Sequence, residues 1–85
     1  MSAKRVNIYM TPTCPYCQKA IGILNDHDVP FEQVDVQGRQ ELRDELHKMI
    51  GRSDVPQVFV DGEHIGDDDH IAEWADDGRL DALKA

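Results

Sequence analysis

Two cysteines set three positions apart, in Cys14-Pro15-Tyr16-Cys17, are the only thiols in this chain. Thiols at that spacing can carry out disulfide exchange: one attacks, and the other closes back and releases the product. Two other readings stay open at this point. The pair could supply half of a zinc site completed by two of His27, His47, His64 and His70, or be two inert buried residues. No second C-x-x-C and no histidine pair at ligand spacing accompanies it. The attacking species is the thiolate, and the N–H groups at a helix N-terminus lower its pKa. Cys14 opens a helical pattern, which makes it the nucleophile. Cys17 lies one turn further on the same side and resolves the mixed disulfide. No basic residue lies within four positions before Cys14, and Lys19 is expected to point elsewhere on the helix. The thiolate is therefore expected to rest on helix N–H groups.

The elements around the dithiol follow from pattern. Residues 6–10 are β-rich and alternate, which predicts a strand. Thr11-Pro12-Thr13 breaks it, and Pro15 suits a first helical turn. Ala20, Ile21, Ile23 and Leu24 give that helix an apolar face, and Pro30 ends the segment. Phe31, Val34 and Val36 mark a second strand. Leu42, Leu46, Met49 and Ile50 predict an amphipathic helix over 40–50, stopped by Gly51. Val58-Phe59-Val60 reads as a buried strand, Asp61-Gly62 as a hairpin turn, and Glu63-His64-Ile65 as the returning strand. Asp67 to Asp69 favour a helix N-terminus. Ile71, Ala72, Trp74 and Ala75 line its apolar side, Gly78 stops it, and Leu80 to Leu83 add a last turn. The order βαβαββα predicts an α/β fold: a mixed four-stranded sheet with helices on both faces.

Eighty-five residues suffice for one domain, 1–85, with a modest core. No apolar run is long enough to span a membrane, and Met1 to Arg5 are not followed by a leader-like apolar segment. A cytoplasmic location is the resulting expectation. The formal charge of −8 falls entirely on residues 54–85, since residues 1–53 carry seven acids and seven bases. An acidic third of this kind argues against nucleic-acid binding. It reads as a self-repelling surface, or as one that steers toward a basic partner.

Cys14-Pro15-Tyr16-Cys17, together with Asp54-Val55-Pro56-Gln57 and His64-Ile65-Gly66-Asp67-Asp68-Asp69, resembles the glutaredoxins of the small bacterial dithiol class over nearly the whole chain. The resemblance implies a thioredoxin fold, no tightly bound cofactor, and glutathione as co-substrate. It places Tyr16, Asp54, Val55, Pro56, Gly66, Asp68 and Asp69 at the glutathione site. Pro56 would be cis, and the Val55 backbone would pair with the tripeptide like an added strand. N–H groups after Gly66 would receive its γ-glutamyl carboxylate, and Asp68 or Asp69 its ammonium. Arg52 is similar to a basic residue that the family places near the site. The implied partners are glutathione and disulfide or glutathionylated proteins, with a monomer as the expected state.

Three positions depart from the family pattern. Thr11 replaces a base that reaches the glycine carboxylate of glutathione, Asp67 a glycine, and His70 an aspartate. The first two changes weaken recognition of an anionic ligand. His70 raises the expectation of a pH-dependent Michaelis constant, because histidine is the side chain whose charge can change near neutral pH. Two alternatives to a glutathione-dependent reductase are a glutaredoxin-like protein recharged by thioredoxin reductase, and a glutathione-ligated [2Fe–2S] carrier. The proline after Cys14 resembles the cluster-free members.

Overall fold

A computed structural model describes residues 5–83. Residues 1–4, on which the leader reading rests, and Lys84 lie outside the described residues. Strand β1 (Val6–Met10) buries every second side chain, Val6, Ile8 and Met10, as the two-residue period of a strand requires. Strand β2 (Glu32–Asp35) pairs parallel to it on one side. Strand β3 (Gln57–Val60) pairs antiparallel on the other, and β4 (Glu63–Gly66) completes the order β2-β1-β3-β4. Asp61 and Gly62 join β3 to β4 with φ of 52° and 83°, the positive pair that a tight primed turn needs. Strand β2 is shorter than its apolar residues suggest, because Phe31 and Val36 fall just outside it. Val36 is nevertheless fully buried, and its N–H donates to the Met10 carbonyl at 3.0 Å.

Helices α1 (Pro15–Asp26) and α3 (Asp68–Asp76) pack side by side on one face of the sheet. Cys17, Ala20 and Leu24 of α1 and Ile71 of α3 meet Val6, Ile8, Met10, Val58 and Val60 there. A closing 3-10 turn, Arg79–Leu83, adds Leu80 and Leu83 to the same core. Truncating a fully buried member such as Leu24 or Ile71 to alanine costs about 2–5 kcal/mol. Helix α2 (Gln40–Ile50) covers the opposite face, where Tyr9 meets Phe59 edge-on with centroids 5.4 Å apart. Burial, and then the Glu45 carboxylate of α2, raise the Tyr9 hydroxyl pKa. Gly51 ends α2 in the left-handed conformation, φ 77°, where a side chain would be strained. The predicted element order and the helices on both faces are thus observed.

This topology gathers three joints at one end of the sheet. Antiparallel pairing sets the start of β3 beside the end of β1, with Tyr9 opposite Gln57, and the end of β4 beside β3, with Val58 opposite Gly66. The β1–α1 turn, the segment entering β3 and the β4–α3 joint therefore come together, although some 50 residues of chain separate the first from the last.

Candidate active site

Cys14 is the N-cap of α1, with extended backbone (φ −86°, ψ 118°) and Pro15 in the first turn. Its N–H donates to the Thr11 carbonyl at 3.3 Å, which tightens the loop leaving β1. The first turn of α1 holds no acidic residue, and no side chain caps it. Its first N–H groups therefore have no side-chain partner, and they open at the Cys14 end of the helix. Cys14 is half-buried, whereas Cys17 is fully buried under α1. Burial pushes the Cys17 thiol up to about 11, opposed by hydrogen bonding to Thr11 and reinforced by the neighbouring Cys14 sulfur. Thr11 is itself buried against this pair, so the position that departs from the family pattern faces the resolving thiol. Among the described residues, no three His, Cys, Asp or Glu side chains are grouped so that they could hold a metal ion.

A cleft of about 360 Å³ opens against Tyr16 of the dithiol segment, with neither Cys14 nor Cys17 in its lining. Of the residues that the family resemblance groups together, Tyr16, Asp54, Val55, Pro56, Asp68 and Asp69 line it. The Val55–Pro56 peptide bond is cis. Gly66 does not line the cleft. It is buried at the end of β4 with φ 144°, and a Cβ there would collide with the His70 ring. Its part in the site is to let the chain turn into α3.

Two lining residues were not among the expected site residues. Lys19, expected to point elsewhere, forms a wall of the cleft, with its ammonium 3.7 Å from Asp68 and 4.0 Å from Asp69. The signal was its i,i+3 relation to Tyr16, which puts both on one helix face. Asp67 also lines the cleft and is the N-cap of α3. Its carboxylate accepts from the backbone N–H groups of Asp69 (3.1 Å) and His70 (3.4 Å), and lies 3.0 Å from the His70 ring. Burial raises the Asp67 pKa, but the hydrogen bonds from His70 and Asp69 outweigh it and hold the carboxyl below its ordinary value. His70 turns back onto Gly66 and Asp67 and does not line the cleft. Arg52 is taken up by Asp54 in a two-pronged pair of 2.7 and 2.5 Å.

Comparison with known proteins agrees with this geometry. The glutaredoxin family model matches residues 6–65. Glutaredoxin 3 of Escherichia coli K12 is 40% identical over 78 residues, covering 92% of this chain and 94% of its own. A glutaredoxin of Pseudomonas aeruginosa is 42% identical over 80 residues, covering 92% and 93%. The solution structure of a Brucella melitensis glutaredoxin superposes with a TM-score of 0.84 at 36% identity, covering 99% of this chain and 92% of that one. With its thioredoxin fold, its Cys14–Cys17 dithiol and these relatives, the chain belongs to the glutaredoxin family of thiol–disulfide oxidoreductases.

Proposed function

We propose that the protein reduces protein disulfides and protein–glutathione mixed disulfides, with Cys14 as nucleophile, Cys17 as resolving thiol and glutathione as the reductant that restores the dithiol. The observation that carries this reading is the asymmetry of the two thiols. Cys14 is accessible at an uncapped helix N-terminus, while Cys17 is fully buried and kept protonated. Attack therefore starts at Cys14, whose thiolate bonds to one sulfur of the substrate disulfide and expels the other as a thiolate. Cys17 then loses its proton and attacks the Cys14 sulfur, which expels the second substrate thiolate and leaves a Cys14–Cys17 disulfide. Two electrons have passed to the substrate. Two glutathione molecules return them, leaving as glutathione disulfide. A protein–glutathione mixed disulfide needs only Cys14, because a second glutathione can resolve the glutathionylated enzyme.

The cleft supports the glutathione part of the reading. Its volume of about 360 Å³ falls within the roughly 300–1,000 Å³ of small-molecule sites. Tyr16 and the Val55–Pro56 pair would flank the peptide, with the Val55 backbone offered as an edge. Asp68 and Asp69 would hold its ammonium. We place the whole chain, 1–85, in one unit that works as a cytoplasmic monomer. No helix among the described residues is long and apolar enough to cross a membrane.

The test is reduction of a small glutathione mixed disulfide by wild type, Cys17→Ser and Cys14→Ser, coupled once to glutathione with glutathione reductase and once to thioredoxin reductase. Turnover with glutathione that survives Cys17→Ser and is lost in Cys14→Ser is the expected result. Turnover with thioredoxin reductase alone would replace glutathione as the reductant.

A further inference from the structure

Glutathione carries both charges on one carbon at its γ-glutamyl end, an ammonium and an α-carboxylate. Asp67, Asp68 and Asp69 stand at the α3 wall of the cleft, so the ammonium is readily met there and the carboxylate is not. Two of the α3 N–H groups that would receive the carboxylate, those of Asp69 and His70, already donate to Asp67. Arg52 is committed to Asp54 through both prongs of its guanidinium. Lys19 is the one cation among the residues that line the cleft. Its ammonium lies 3.7 Å from Asp68 and 4.0 Å from Asp69. Those distances suffice for attraction but exceed the roughly 2.7–3.2 Å of an N–H···O hydrogen bond. An ammonium has three donors, and Lys19 spends none of them on these carboxylates. Its side chain is half exposed, whereas that of Asp68 is nearly buried. The carboxylate is therefore held in place, and the lysine is free to turn to a ligand.

We propose that Lys19 is a specificity-determining residue that receives the α-carboxylate of glutathione while Asp68 and Asp69 hold the neighbouring ammonium. This rests on the glutathione reading above and deepens it. Adjacent opposite charges on the ligand meet adjacent opposite charges on the wall, with α3 supplying the anions and α1 the cation. In the free protein the lysine offsets the aspartates. On binding, the ligand's ammonium takes over at Asp68 and Asp69, and Lys19 turns its donors to the carboxylate beside it. Hydrogen bonds between charged partners are stronger than neutral ones, and a ligand with only one of the two charges forfeits half of the match. The exchange itself is unaltered: the same two electrons move, and Lys19 acts on recognition and alignment of the disulfide.

The test uses the reduced full-length protein in single-turnover reactions with three symmetrical disulfides. The first is glutathione disulfide. The second is that of γ-aminobutyryl-cysteinylglycine, which keeps the ammonium and lacks the α-carboxylate. The third is that of glutaryl-cysteinylglycine, which keeps the carboxylate and lacks the ammonium. Disappearance of the protein thiols is followed by mass. The readout is the ratio of each variant's rate constant to that of wild type, which cancels intrinsic reactivity. Lys19→Gln should slow the reaction with glutathione disulfide about fivefold, the size suited to one charge pair at a partly exposed site. The glutaryl disulfide should slow by a similar factor. The aminobutyryl disulfide should instead react about twofold faster, because its ammonium no longer shares Asp68 and Asp69 with the lysine. Lys19→Arg keeps the charge and should recover most of the loss. Equal slowing of all three disulfides would reduce Lys19 to a structural link between α1 and α3 and overturn the proposal, as would an unchanged rate with glutathione disulfide. A wild type that, relative to free dithiothreitol, shows no preference for glutathione disulfide over either analogue would instead bring down the glutathione reading itself.

Discussion

The N-termini of α1 and α3 open toward the same end of the sheet but are finished in opposite ways. Helix α1 begins at Cys14 with no side-chain cap and no acid in its first turn. Helix α3 begins at Asp67, whose carboxylate accepts two backbone N–H bonds, with Asp68 and Asp69 behind it and His70 closing a capping box. An uncapped N-terminus is costly in isolation, because its N–H groups lack partners. Here the cap position is held by the Cys14 thiol. At α3 the N–H groups are satisfied by the Asp67 carboxylate, which lines the cleft. The contrast shows that the same backbone device is left open or closed off according to which side chain sits at the cap.

The comparison breaks most completely at Cys14. Cys14→Ser leaves the α1 N-terminus with a hydroxyl that caps well but does not exchange with disulfides. Reduction of any disulfide should fall to the uncatalysed level while the melting temperature holds or rises. A lower melting temperature would mean that the thiol, not a missing cap, stabilises this helix start.

At α3 the largest expected effect comes from Gly66→Ala. Its φ of 144° and the overlying His70 ring leave no room for a methyl group. Urea unfolding should show a loss of about 1–3 kcal/mol, the range for a residue forced into a disfavoured conformation. Unchanged stability would show that the capping box tolerates a shifted ring.

Asp67→Ala should cost about 1 kcal/mol for the lost cap, and Asp67→Asn only part of that. The Asp67 carboxyl is held below its ordinary value of 3.8 in the folded state. Its ionised form therefore stabilises the fold above that pH, and the contribution is lost as pH falls through the folded value. Acid titration of stability should flatten in Asp67→Asn relative to wild type. Matching acid limbs in the two proteins would place the sensitivity in another carboxylate.

The effect that is smallest at neutral pH belongs to Cys17, whose thiol burial raises from 9.0 to about 11. The unfolded chain ionises this thiol near its ordinary value, whereas the folded chain resists until about 11. Stability of the reduced protein should therefore be intact below pH 9 and decline as pH rises between those values. Thermal melts of the reduced protein should show this decline, and Cys17→Ser should lack it. An identical alkaline slope in both would move its origin elsewhere.

Much of the architecture follows from local pattern. The alternation of Val6, Ile8 and Met10, the Pro15 start of α1, the Asp61-Gly62 turn and the Gly51 stop are local rules obeyed locally. Most expected cleft residues also came together, because the motifs that carry them sit at loop positions set by those elements. Two side-chain placements depend on contacts that nothing local announces. Lys19, expected to point elsewhere on its helix, reaches toward Asp68 and Asp69, and the His70 ring turns onto Asp67.

The dithiol, the order of the elements and the acidic bias of the last third follow from residue identity and from spacing within a few turns. Which thiol is buried and which is open, that Lys19 spans to α3, and that Asp54 and Asp67 border one cleft depend on the folded chain. These are outcomes of strand pairing. Antiparallel β3 and β4 bring residues some 50 positions apart to one end of β1, and charge and burial act through space rather than along the chain.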